Sequence, residues 1–398
     1  MHICFVCREY PPSLRGGGIA SYIKEMAHGL CRAGHQVTVV CASDDTREEF
    51  VYKDGDVNII RLKGGDFIIP QLENGTLVRK FRPIYRFFSY RRRILHTIKQ
   101  LKNVDIIEVP EYGAESYYLH SLNIPVIIRL HTPMLLDHDD FSLYRPNHGN
   151  LHYYWQGRQE LNEIKKAKHI TSCSTSLKEW TVKYTHVPSE KIKVVYNPIQ
   201  VGSCEECKHT KVKNQRKQIL FAGTICDWKG CGDLAEACRM LSERTDWDFR
   251  LDLIGKTGAY ADELQRKYGQ YKWFNIVGKI PREELMQRYA EADVVCFPSW
   301  WENMPMVCIE AMHCGGIVIG SNSGGMSEII TNGKDGFLVP PHNPYGLAEK
   351  MQEVLTLDEE EKMKISSNAQ LRIKEHFSME VIIKQMTEYY QSIINGYK

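Results

Sequence analysis

The sequence lacks several features that would assign it at once to a common class of protein. Its 398 residues have a formal net charge of only +2, so no overall excess of basic side chains points to nucleic acid. No uncharged apolar run approaches the roughly 18 residues that a membrane span requires. Tandem repeats and low-complexity tracts are also missing. What remains is a globular composition, with 43% hydrophobic and 25% charged residues.

The cysteines lack the pattern of a disulfide framework. There are thirteen, an odd number, and they are scattered through apolar segments, which is typical of reduced thiols that act as small hydrophobic side chains. Cys204 and Cys207 form a C-x-x-C pair close to His209, but no further zinc ligands follow at matching spacing, so an exposed linker without metal is expected. Because His2 to Cys7 is predicted as a buried strand and not as a signal peptide, a cytoplasmic location is expected.

Length and alternation predict two α/β domains. A chain of this length is long for one core and suits two domains of nearly 200 residues each. Short β-rich runs alternate with helical stretches, which predicts parallel strands joined by helices. The predicted strands are Val37 to Cys41, Val57 to Leu62, Asp105 to Val109, Val126 to Leu130, His169 to Cys173 and Ile192 to Val195, then Ile219 to Ala222, Phe249 to Ile254, Trp273 to Val277, Val294 to Phe297, Ile317 to Ile319 and Gly336 to Val339.

A polar, charged segment without apolar periodicity separates the two series of strands and predicts an interdomain linker. The predicted boundaries are 1–198 for the first Rossmann-like domain, 199–217 for the linker, 218–375 for the second Rossmann-like domain and 376–398 for a final helix. Ligands of doubly wound sheets bind at the carboxyl ends of the strands, so the site is expected in the loops that follow them.

The most informative segment runs from Ser299 to Glu328. Within it, Asn303 and Pro305 are typical of a helix start, and Gly315-Gly316 ends the helical run. The unpaired N–H groups of a first helical turn, together with the positive end of the helix dipole, favour a diphosphate. The segment therefore predicts an anion site at a helix N-terminus.

Two glutamates accompany this helix start. Glu302 lies just before the helix and Glu310 lies within it, eight residues later. Eight helical steps do not place two side chains one above the other, so the pair is expected to approach one ligand from different directions. Gly324-Gly325 follows a short apolar strand and predicts a second turn that favours an anion.

This segment resembles the E-x7-E signature of the retaining glycosyltransferases of family four, which have the GT-B fold. Five further motifs of that family occur in the right order, so the resemblance covers essentially the whole chain. They are Gly16-Gly17-Gly18, Gly34-His35, Phe221-Ala222-Gly223 leading to Lys229-Gly230, Val277-Gly278-Lys279-Ile280, and Ala292-Asp293-Val294. The resemblance implies an α/β fold of two Rossmann-like, doubly wound domains facing across a cleft, with the final helix crossing back to the first domain.

The resemblance also implies the activity. A retaining, metal-independent hexosyltransferase would move the sugar of a nucleotide-diphosphate donor to a hydroxyl of a glycan or lipid-linked acceptor in the assembly of cell-surface polysaccharide. A UDP-sugar is favoured and a GDP-sugar is the alternative; no cofactor and no metal ion are expected. Because the leaving diphosphate gains charge in an oxocarbenium-like transition state, such a site needs positive potential more than it needs a strong nucleophile.

Site residues are carried over by position in the motifs. The residues expected to act on the reacting sugar and the leaving group are Lys229, Glu302 and His131. The donor-binding residues are expected to be Gly17, Gly18, Thr224, Lys279, Ile280, Asn303, Met304, Met306, Val307 and Glu310. Of these, Glu310 would accept hydrogen bonds from the ribose hydroxyls, Lys279 and Ile280 would border the base, and His131 would meet the sugar near its reacting carbon.

The chain departs from the family pattern at Thr224. Members of the family have an arginine five residues before the lysine, and Thr224 stands at that position here. A hydroxyl can bond a phosphate oxygen but carries no charge. Lys229 is therefore expected to carry more of the electrostatic load, or another cation to substitute.

A basic and aromatic stretch, residues 76–103, is a separate feature. It contains nine Lys or Arg residues and no Asp or Glu, with Phe and Tyr residues between them. Such a helix suits the surface of an anionic membrane or a diphosphate-lipid acceptor, and a peripheral place at the inner face of the membrane is expected. The other interpretation is a solvated helix that packs its aromatic residues on the first sheet.

Two other classes of function stay open at this point. A nucleotide-sugar epimerase on the same fold would convert the donor without any acceptor. A noncatalytic protein would bind the nucleotide sugar without hydrolysing or transferring it. A retaining glycosidase is disfavoured, because its two carboxylates must both flank one glycosidic bond.

Overall fold

The computed structural model describes residues 1–13, 17–44, 48–64, 77–137, 139–144, 151–200 and 216–397; within 77–83 only the backbone is described. The chain divides into two compact units. Unit 1 contains Met1–Asp137, Ser142–Pro198 and Met379–Lys398, and unit 2 contains His138–Phe141 and Ile199–Ser378. Each unit is an α/β domain of its own, so the predicted pair of Rossmann-like domains is confirmed.

Unit 1 is built on a mostly parallel sheet of eight strands within the described residues. The strand order is β3-β4-β2-β1-β5-β6-β7-β8, and only β3 is antiparallel to its neighbour. The strands are β1 His2–Val6, β2 Gln36–Ala42, β3 Phe50–Asp54, β4 Val57–Leu62, β5 Ile106–Pro110, β6 Val126–Leu130, β7 His169–Ser172 and β8 Ile192–Val194; the helices are α1 Gly18–Arg32, α2 Leu77–Gln100, α3 Leu151–Lys166 and α4 Thr175–Thr185.

Unit 2 has a six-stranded parallel sheet in its described part, in the order β11-β10-β9-β12-β13-β14. Its strands are β9 Lys217–Ala222, β10 Phe249–Ile254, β11 Phe274–Gly278, β12 Val294–Phe297, β13 Val318–Ser321 and β14 Phe337–Val339. Its helices are α5 Cys231–Arg244, α6 Ala259–Tyr268, α7 Arg282–Glu291, α8 Met306–His313, α9 Met326–Ile329, α10 Pro344–Thr356 and α11 Glu359–His376.

The central strands are buried on both faces because helices cover both sides of each parallel sheet. Every residue of β1, β5, β6 and β12 is buried, which explains why these mainly apolar strands show no regular alternation of apolar and polar residues. The loops after the carboxyl ends of the strands carry the residues singled out in the sequence, as expected for doubly wound sheets.

The last helix, α12 Met379–Tyr397, belongs to unit 1. It packs on α1 at Gly29, where any Cβ would collide with Ile383 and with the sulfur of Met379. The hydroxyl of Tyr390 donates to Glu108 Oε2 at 2.6 Å, and the hydroxyl of Tyr22 donates to Glu108 Oε1 at 2.9 Å. A buried carboxylate in β5 therefore ties α1 and α12 to the same strand.

Candidate functional site

The first predicted pair of residues comes together in unit 2. Lys229, in the loop after β9, forms an ion pair with Oε1 of Glu302, in the loop before α8. Ser299 Oγ donates to the same oxygen at 3.3 Å. Both charged side chains are largely buried, at 17% and 13% exposure. An anion that entered here would meet a cation whose present partner is a carboxylate, so it would have to compete with Glu302 for Lys229.

A glycine makes this approach of the two loops feasible. Gly230 has φ +70°, and a Cβ at this position would collide with the carbonyl oxygen of Pro298. The backbone N–H of Trp300 donates to the carbonyl oxygen of Trp228 at 2.8 Å, which joins the same two loops. The sequence Lys229-Gly230 thus combines the cation with the only residue type that fits the turn after it.

Helix α8 begins at Met306, with Pro305 at the N-cap and no side-chain cap. The first N–H groups that bond back to Pro305 O are those of Cys308 and Ile309, at 3.1 and 3.4 Å. The N–H groups of Met306 and Val307 precede these bonds and belong to the orphan donors of a helix start. Just ahead of them, the predicted residues Asn303 and Met304 are buried, at 8% and 6% exposure.

Gly324-Gly325, the second turn that was predicted to favour an anion, packs against the loop before α8. Gly324 has φ +56°, and a Cβ there would collide with the carbonyl oxygen of Glu302 and with the indole nitrogen of Trp301. The N–H of Gly325 donates to the Glu302 carbonyl oxygen at 2.8 Å. Next to these glycines lies Ser323, whose buried hydroxyl has no hydrogen-bond partner within the described residues. Sequence reasoning missed Ser323, because nothing distinguishes it from the neighbouring serines.

The second glutamate of the motif has its own partner. Glu310 Oε1 accepts a hydrogen bond from Arg282 Nη2 at 2.9 Å. Arg282 is the first residue of α7 and is half exposed, whereas the Glu310 side chain is 14% exposed. Sequence reasoning missed Arg282, since the contact depends on how α7 packs on α8. The predicted base-side residues precede α7, with Lys279 exposed and Ile280 half-buried.

In the structure, a lysine lies close to the loop of Thr224, the residue at which the chain departs from the family pattern. Thr224 is exposed in the loop after β9, and the next residue, Ile225, donates its N–H to the carbonyl oxygen of Lys256 at 2.9 Å. Lys256 follows β10, the adjacent strand, and is exposed. A second lysine thus lies beside the position where the family has its arginine. The sequence alone did not indicate it, because the pairing of β9 with β10 was not assigned.

In unit 1, Gly17 and Gly18 lie at the start of α1, with Gly17 as the N-cap; Gly16 lies outside the described residues. They line a pocket of about 180 Å³. Its other lining residues are Arg8, Glu9, Ile19, Pro110 and Tyr112. Arg8 is buried, and its guanidinium carbon lies 5.7 Å from the centre of the Tyr112 ring. Sequence reasoning identified the glycines but not this charged and aromatic lining.

His131 follows β6 and is buried at 6% exposure. Its backbone N–H donates to both carboxylate oxygens of Glu111 at 2.9 Å, and its ring packs edge-on against Tyr22 with 4.8 Å between centroids. Burial, and then the nearby Arg129, lower the pKa of His131 well below its ordinary value. The imidazole is therefore neutral at physiological pH and suited to exchange hydrogen bonds with a hydroxyl, not to carry a charge.

Buried glutamates brace the loops around His131. Burial raises the pKa of Glu111 to about 7 and that of Glu160 to about 8. Glu160 accepts hydrogen bonds from the backbone N–H groups of Gly113 and Met134, at 2.6 and 2.7 Å. It therefore joins the loop after β5 to the loop after β6. Nothing in the sequence pattern separated these glutamates from surface ones.

The basic stretch 76–103 divides between core and surface. Thr76 and the side chains of 77–83 lie outside the described residues. Further along α2, Arg91 is fully buried and donates to the carbonyl oxygens of Phe87 and Ala114. The ring of Phe87 packs edge-on against Tyr117 and Trp155. The exposed side chains of this stretch include Tyr85, Arg92, Lys99 and Lys102. Part of the aromatic and basic pattern thus serves the core of unit 1.

The described ranges contain neither a metal-binding cluster nor a helix that could span a membrane. Those ranges contain no group of three or more His, Cys, Asp or Glu side chains that could hold a metal ion. Cys204, Cys207 and His209 lie outside them. None of the helices in these ranges combines the length and hydropathy that a bilayer crossing needs.

Two family models match the chain in succession. Residues 16–202 match "Glycosyltransferase Family 4", and residues 205–372 match "Glycosyl transferases group 1". Together they account for most of the chain, in the order that the E-x7-E resemblance implied. The chain belongs to the glycosyltransferase family that these two models describe.

Individual proteins agree with this assignment. The chain is 27% identical to the uncharacterized glycosyltransferase MJ1607 of Methanocaldococcus jannaschii, with 98% of each chain covered. It is similar in structure to the sucrose-phosphate synthase of Thermosynechococcus elongatus, with a TM-score of 0.78, 18% identity and 99% of each chain covered. It is also similar to HepE of Anabaena, solved in complex with UDP-glucose, with a TM-score of 0.70, 19% identity and 98% and 100% coverage. The fold is thus that of the GT-B glycosyltransferases.

Proposed function

We propose that the protein is a retaining glycosyltransferase that moves a hexosyl group from a nucleotide-diphosphate sugar to a hydroxyl of a glycan or lipid-linked acceptor. The observation that carries this proposal is the surroundings of the helix start of α8. Glu302 and Glu310 lie on either side of it, Lys229 lies against Glu302, and the two glycine turns pack against the same loop. These groups supply a cation, helix N–H donors and two carboxylates for one extended polar ligand.

The proposed reaction leaves the anomeric configuration unchanged. The bond between C1 of the sugar and the diphosphate oxygen breaks, and the acceptor oxygen attacks C1 on the same face. The acceptor's proton passes to the departing phosphate oxygen, so atoms and charge balance. Lys229 neutralises the charge that develops on the leaving group. On donor binding, the Lys229 ammonium exchanges Glu302 for a phosphate oxygen, which leaves Glu302 to accept a hydrogen bond from a sugar hydroxyl.

Thr224 and Lys256 complete the proposed phosphate side. The Thr224 hydroxyl bonds a phosphate oxygen, and Lys256 at the neighbouring strand end supplies the second positive charge. What supports this is the backbone bond between Ile225 and Lys256, which sets the two strand ends side by side. An ammonium at this position would supply the positive charge of the missing arginine. As a point charge, it would not supply the bidentate hydrogen bonding of a guanidinium.

The nucleotide and sugar contacts follow the motif positions. Glu310 accepts hydrogen bonds from the ribose, Lys279 and Ile280 border the base, and the backbone from Asn303 to Val307 contacts sugar and phosphate, except at Pro305, which has no N–H. UDP is the favoured nucleotide, with GDP as the alternative. The support is the structural similarity to HepE, which was solved with UDP-glucose.

Unit 1 supplies the remaining proposed contacts. Gly17 and Gly18 allow close approach of the backbone to the phosphate, and the neutral imidazole of His131 meets the sugar near C1. The Arg8 and Tyr112 side chains, which share the pocket with the two glycines, are suited to bind a polar acceptor through charge and ring contacts. No metal ion is included, because protein groups provide the positive potential; activity that survives a chelator such as EDTA would support this.

The proposal is tested by calorimetry with UDP, GDP and ADP, followed by donor-hydrolysis assays with sugars of the winning nucleotide. The Glu310→Ala variant should bind that nucleotide more weakly by about 1–3 kcal/mol, as for the loss of charged hydrogen bonds. Slow hydrolysis of one nucleotide sugar, with retention at C1, is the expected result. Conversion of the donor to an epimer would establish the epimerase instead, and binding without any turnover would establish a noncatalytic protein.

A place at the inner face of an anionic membrane is also proposed, through the exposed part of α2. Arg92 and Lys99 are exposed on this helix, Lys102 is exposed just after it, and Tyr85 has 73% of its surface exposed. Such a contact is electrostatic and should weaken as salt screens it. Sedimentation with vesicles of phosphatidylglycerol and phosphatidylcholine at low and high salt tests it. Absence of binding to these vesicles at low salt would refute the membrane contact.

A further inference from the structure

The first residue of α7 is an unusual place for an arginine. The N-terminus of a helix carries partial positive charge, which favours acidic side chains in the first turn and disfavours basic ones. Glu283 and Glu284 follow this rule, whereas Arg282 precedes them at the first helical position. Its local cost therefore has to be offset by a contact elsewhere, and the contact found is the hydrogen bond to Glu310 at 2.9 Å.

The packing of α7 on α8 determines this contact. Arg282, Met286 and Tyr289 are spaced i, i+4 and i+7, so they share one face of α7. Met286 meets the sulfur of Cys314, just after α8, at 3.4 Å between sulfurs. Tyr289 is fully buried, and its pKa is raised well above the ordinary value by burial and then by the charge of Glu310. The face that carries Arg282 is thus anchored along α8 at two further points.

The contact with Arg282 reaches one of the two oxygens of the Glu310 carboxylate. Arg282 contacts Oε1 through one nitrogen, in a single and not a bidentate bond. A carboxylate has two oxygens and about four acceptor sites, so the one donor from Arg282 uses only a part of its acceptor capacity. The guanidinium is half exposed, so its removal would not create a large cavity.

We propose that Arg282 is a positioning residue that holds one oxygen of Glu310 and thereby presents the carboxylate to the ribose diol of the donor. The inference rests on the proposed function, because it assigns a ribose to Glu310. Arg282 itself need not touch the nucleotide. Its contribution should therefore depend on the presence of the ribose hydroxyls, whereas a purely structural contribution would not.

The test is a cycle of two variants and two ligands, measured by calorimetry. UDP and 2′,3′-dideoxy-UDP are titrated into the wild type, Arg282→Ala and Arg282→Lys. Arg282→Ala is expected to bind UDP about five- to twenty-fold more weakly, as for loss of a charged hydrogen bond that is partly exposed to solvent. Its affinity for dideoxy-UDP should stay within about two-fold of wild type, and Arg282→Lys should recover most of the loss for UDP. If the wild type prefers GDP, the guanosine pair replaces the uridine pair.

Arg288→Ala is the matched control. Arg288 lies on the same helix and pairs with Asp252 and Glu284, which the site does not use. It should bind both ligands like wild type, and thermal unfolding of each variant should show an intact fold.

Three outcomes would overturn the proposal. Unchanged UDP affinity in Arg282→Ala would show that the Glu310 carboxylate does not depend on Arg282 for its orientation. Tighter UDP binding would show that Arg282 competes with the ribose for Glu310. Equal weakening of both ligands would show a structural effect only. Failure of the wild type to bind any of the three nucleoside diphosphates is a different result, since it would overturn the proposed function as well.

Discussion

At the residue scale, the two glutamates of the E-x7-E motif differ in their cation partners. Glu302 pairs with Lys229, from a loop 73 residues earlier, and Glu310 pairs with Arg282, from the start of α7. Each carboxylate is therefore paired with a cation before any donor is bound. The cations and carboxylates of the site are thus brought together before the ligand enters, and the proposed exchange of Lys229 from Glu302 to phosphate is the rearrangement that donor binding requires.

The Lys229→Ala variant should lose turnover more than donor affinity. The reason is that the leaving diphosphate carries more charge in the transition state than in the bound donor, so the ammonium contributes most at that point. We expect kcat to fall about 100-fold or more, with KM for the donor changed by less than about 5-fold. Steady-state kinetics of donor hydrolysis or transfer measure both constants.

Lys267→Ala provides a control for that variant, because Lys267 lies on α6 against the ring of Tyr268, away from the donor loops. Its kinetics should match wild type. A Lys229→Ala enzyme with a raised KM and an unchanged kcat would contradict the assignment and leave Lys229 as a binding residue only.

The sequence predicted Lys229 and Glu302 by their motifs, but it did not predict Arg282, Lys256 or Glu160. Motif residues are recognisable because their type and spacing along the chain are defined locally. The other three act through neighbours on different elements: α8 for Arg282, the loop after β9 for Lys256, and the loops after β5 and β6 for Glu160. Such pairings depend on strand register and helix packing, which a single sequence does not specify.

At the scale of elements, the loops after β9 and β12 are as important as the side chains they carry. Both follow parallel strands that are neighbours in the sheet, so both emerge at the same edge. Their close approach requires the left-handed Gly230 beside Pro298. The precision of the Lys229 and Glu302 pair is thus set by a backbone conformation that side-chain-bearing residues rarely adopt.

Replacement of Gly230 by alanine tests this dependence on the backbone. The added Cβ meets the Pro298 carbonyl oxygen and the positive φ becomes strained, so the protein should lose on the order of 1–3 kcal/mol of stability and most of its activity. Gly258→Ala is the control, since a Cβ there meets nothing within 4 Å and the backbone is extended. Equal stability of the two variants in chemical denaturation would refute the argument.

The strands were easier to predict than the starts of the helices. Predicted Val37 to Cys41 lies inside β2, and predicted Trp273 to Val277 is shifted by one residue from β11. The edge strand β3 was missed, because its residues are mostly exposed and include charged ones. The helix start predicted at Asn303 and Pro305 lies at Met306, with Pro305 at the N-cap and no side-chain cap. Strands that are buried on both faces are recognisable in the sequence as short, mainly apolar segments. Helix starts are recognised by their capping side chains, which these loops lack.

At the scale of the whole molecule, unit 1 encloses several carboxyl groups in its interior. Glu108, Glu111, Glu115 and Glu160 are each at most 1% exposed, and burial is the leading cause of a raised pKa for every one of them. Each of these carboxyl groups binds its proton more tightly in the folded chain than in the unfolded chain. Acid conditions should therefore not unfold this unit through these groups, and mildly alkaline conditions should destabilise it.

The sign of this effect is measurable at Glu160. Its pKa rises from 4.5 to about 8 on folding. The folded chain therefore binds the extra proton between these values, so the contribution to stability is complete below pH 4.5 and is lost as the pH rises through 8. Thermal midpoints of wild type should fall from pH 5 to pH 8, and Glu160→Gln should have a shallower slope over that range.

The exposed Glu179, on α4, supplies the control Glu179→Gln, which should keep the wild-type slope. Glu111 and Glu115, with pKa values raised to about 7, remain in the Glu160 variant, so part of the slope should persist. A Glu160→Gln slope as steep as that of wild type would contradict the prediction.

The bond of Tyr390 to Glu108 has a consequence for biosynthesis. The apolar side of α12, with Ile382, Met386 and Ile393, completes the core around Ile23 and Met26. A ribosome makes these residues only after all of unit 2, so nascent unit 1 waits with Glu108 lacking one of its two tyrosine donors. Maturation of unit 1 is thus coupled to the synthesis of α12, and a chain that stops before this helix would leave a carboxyl group and an uncovered apolar surface accessible to chaperones and proteases.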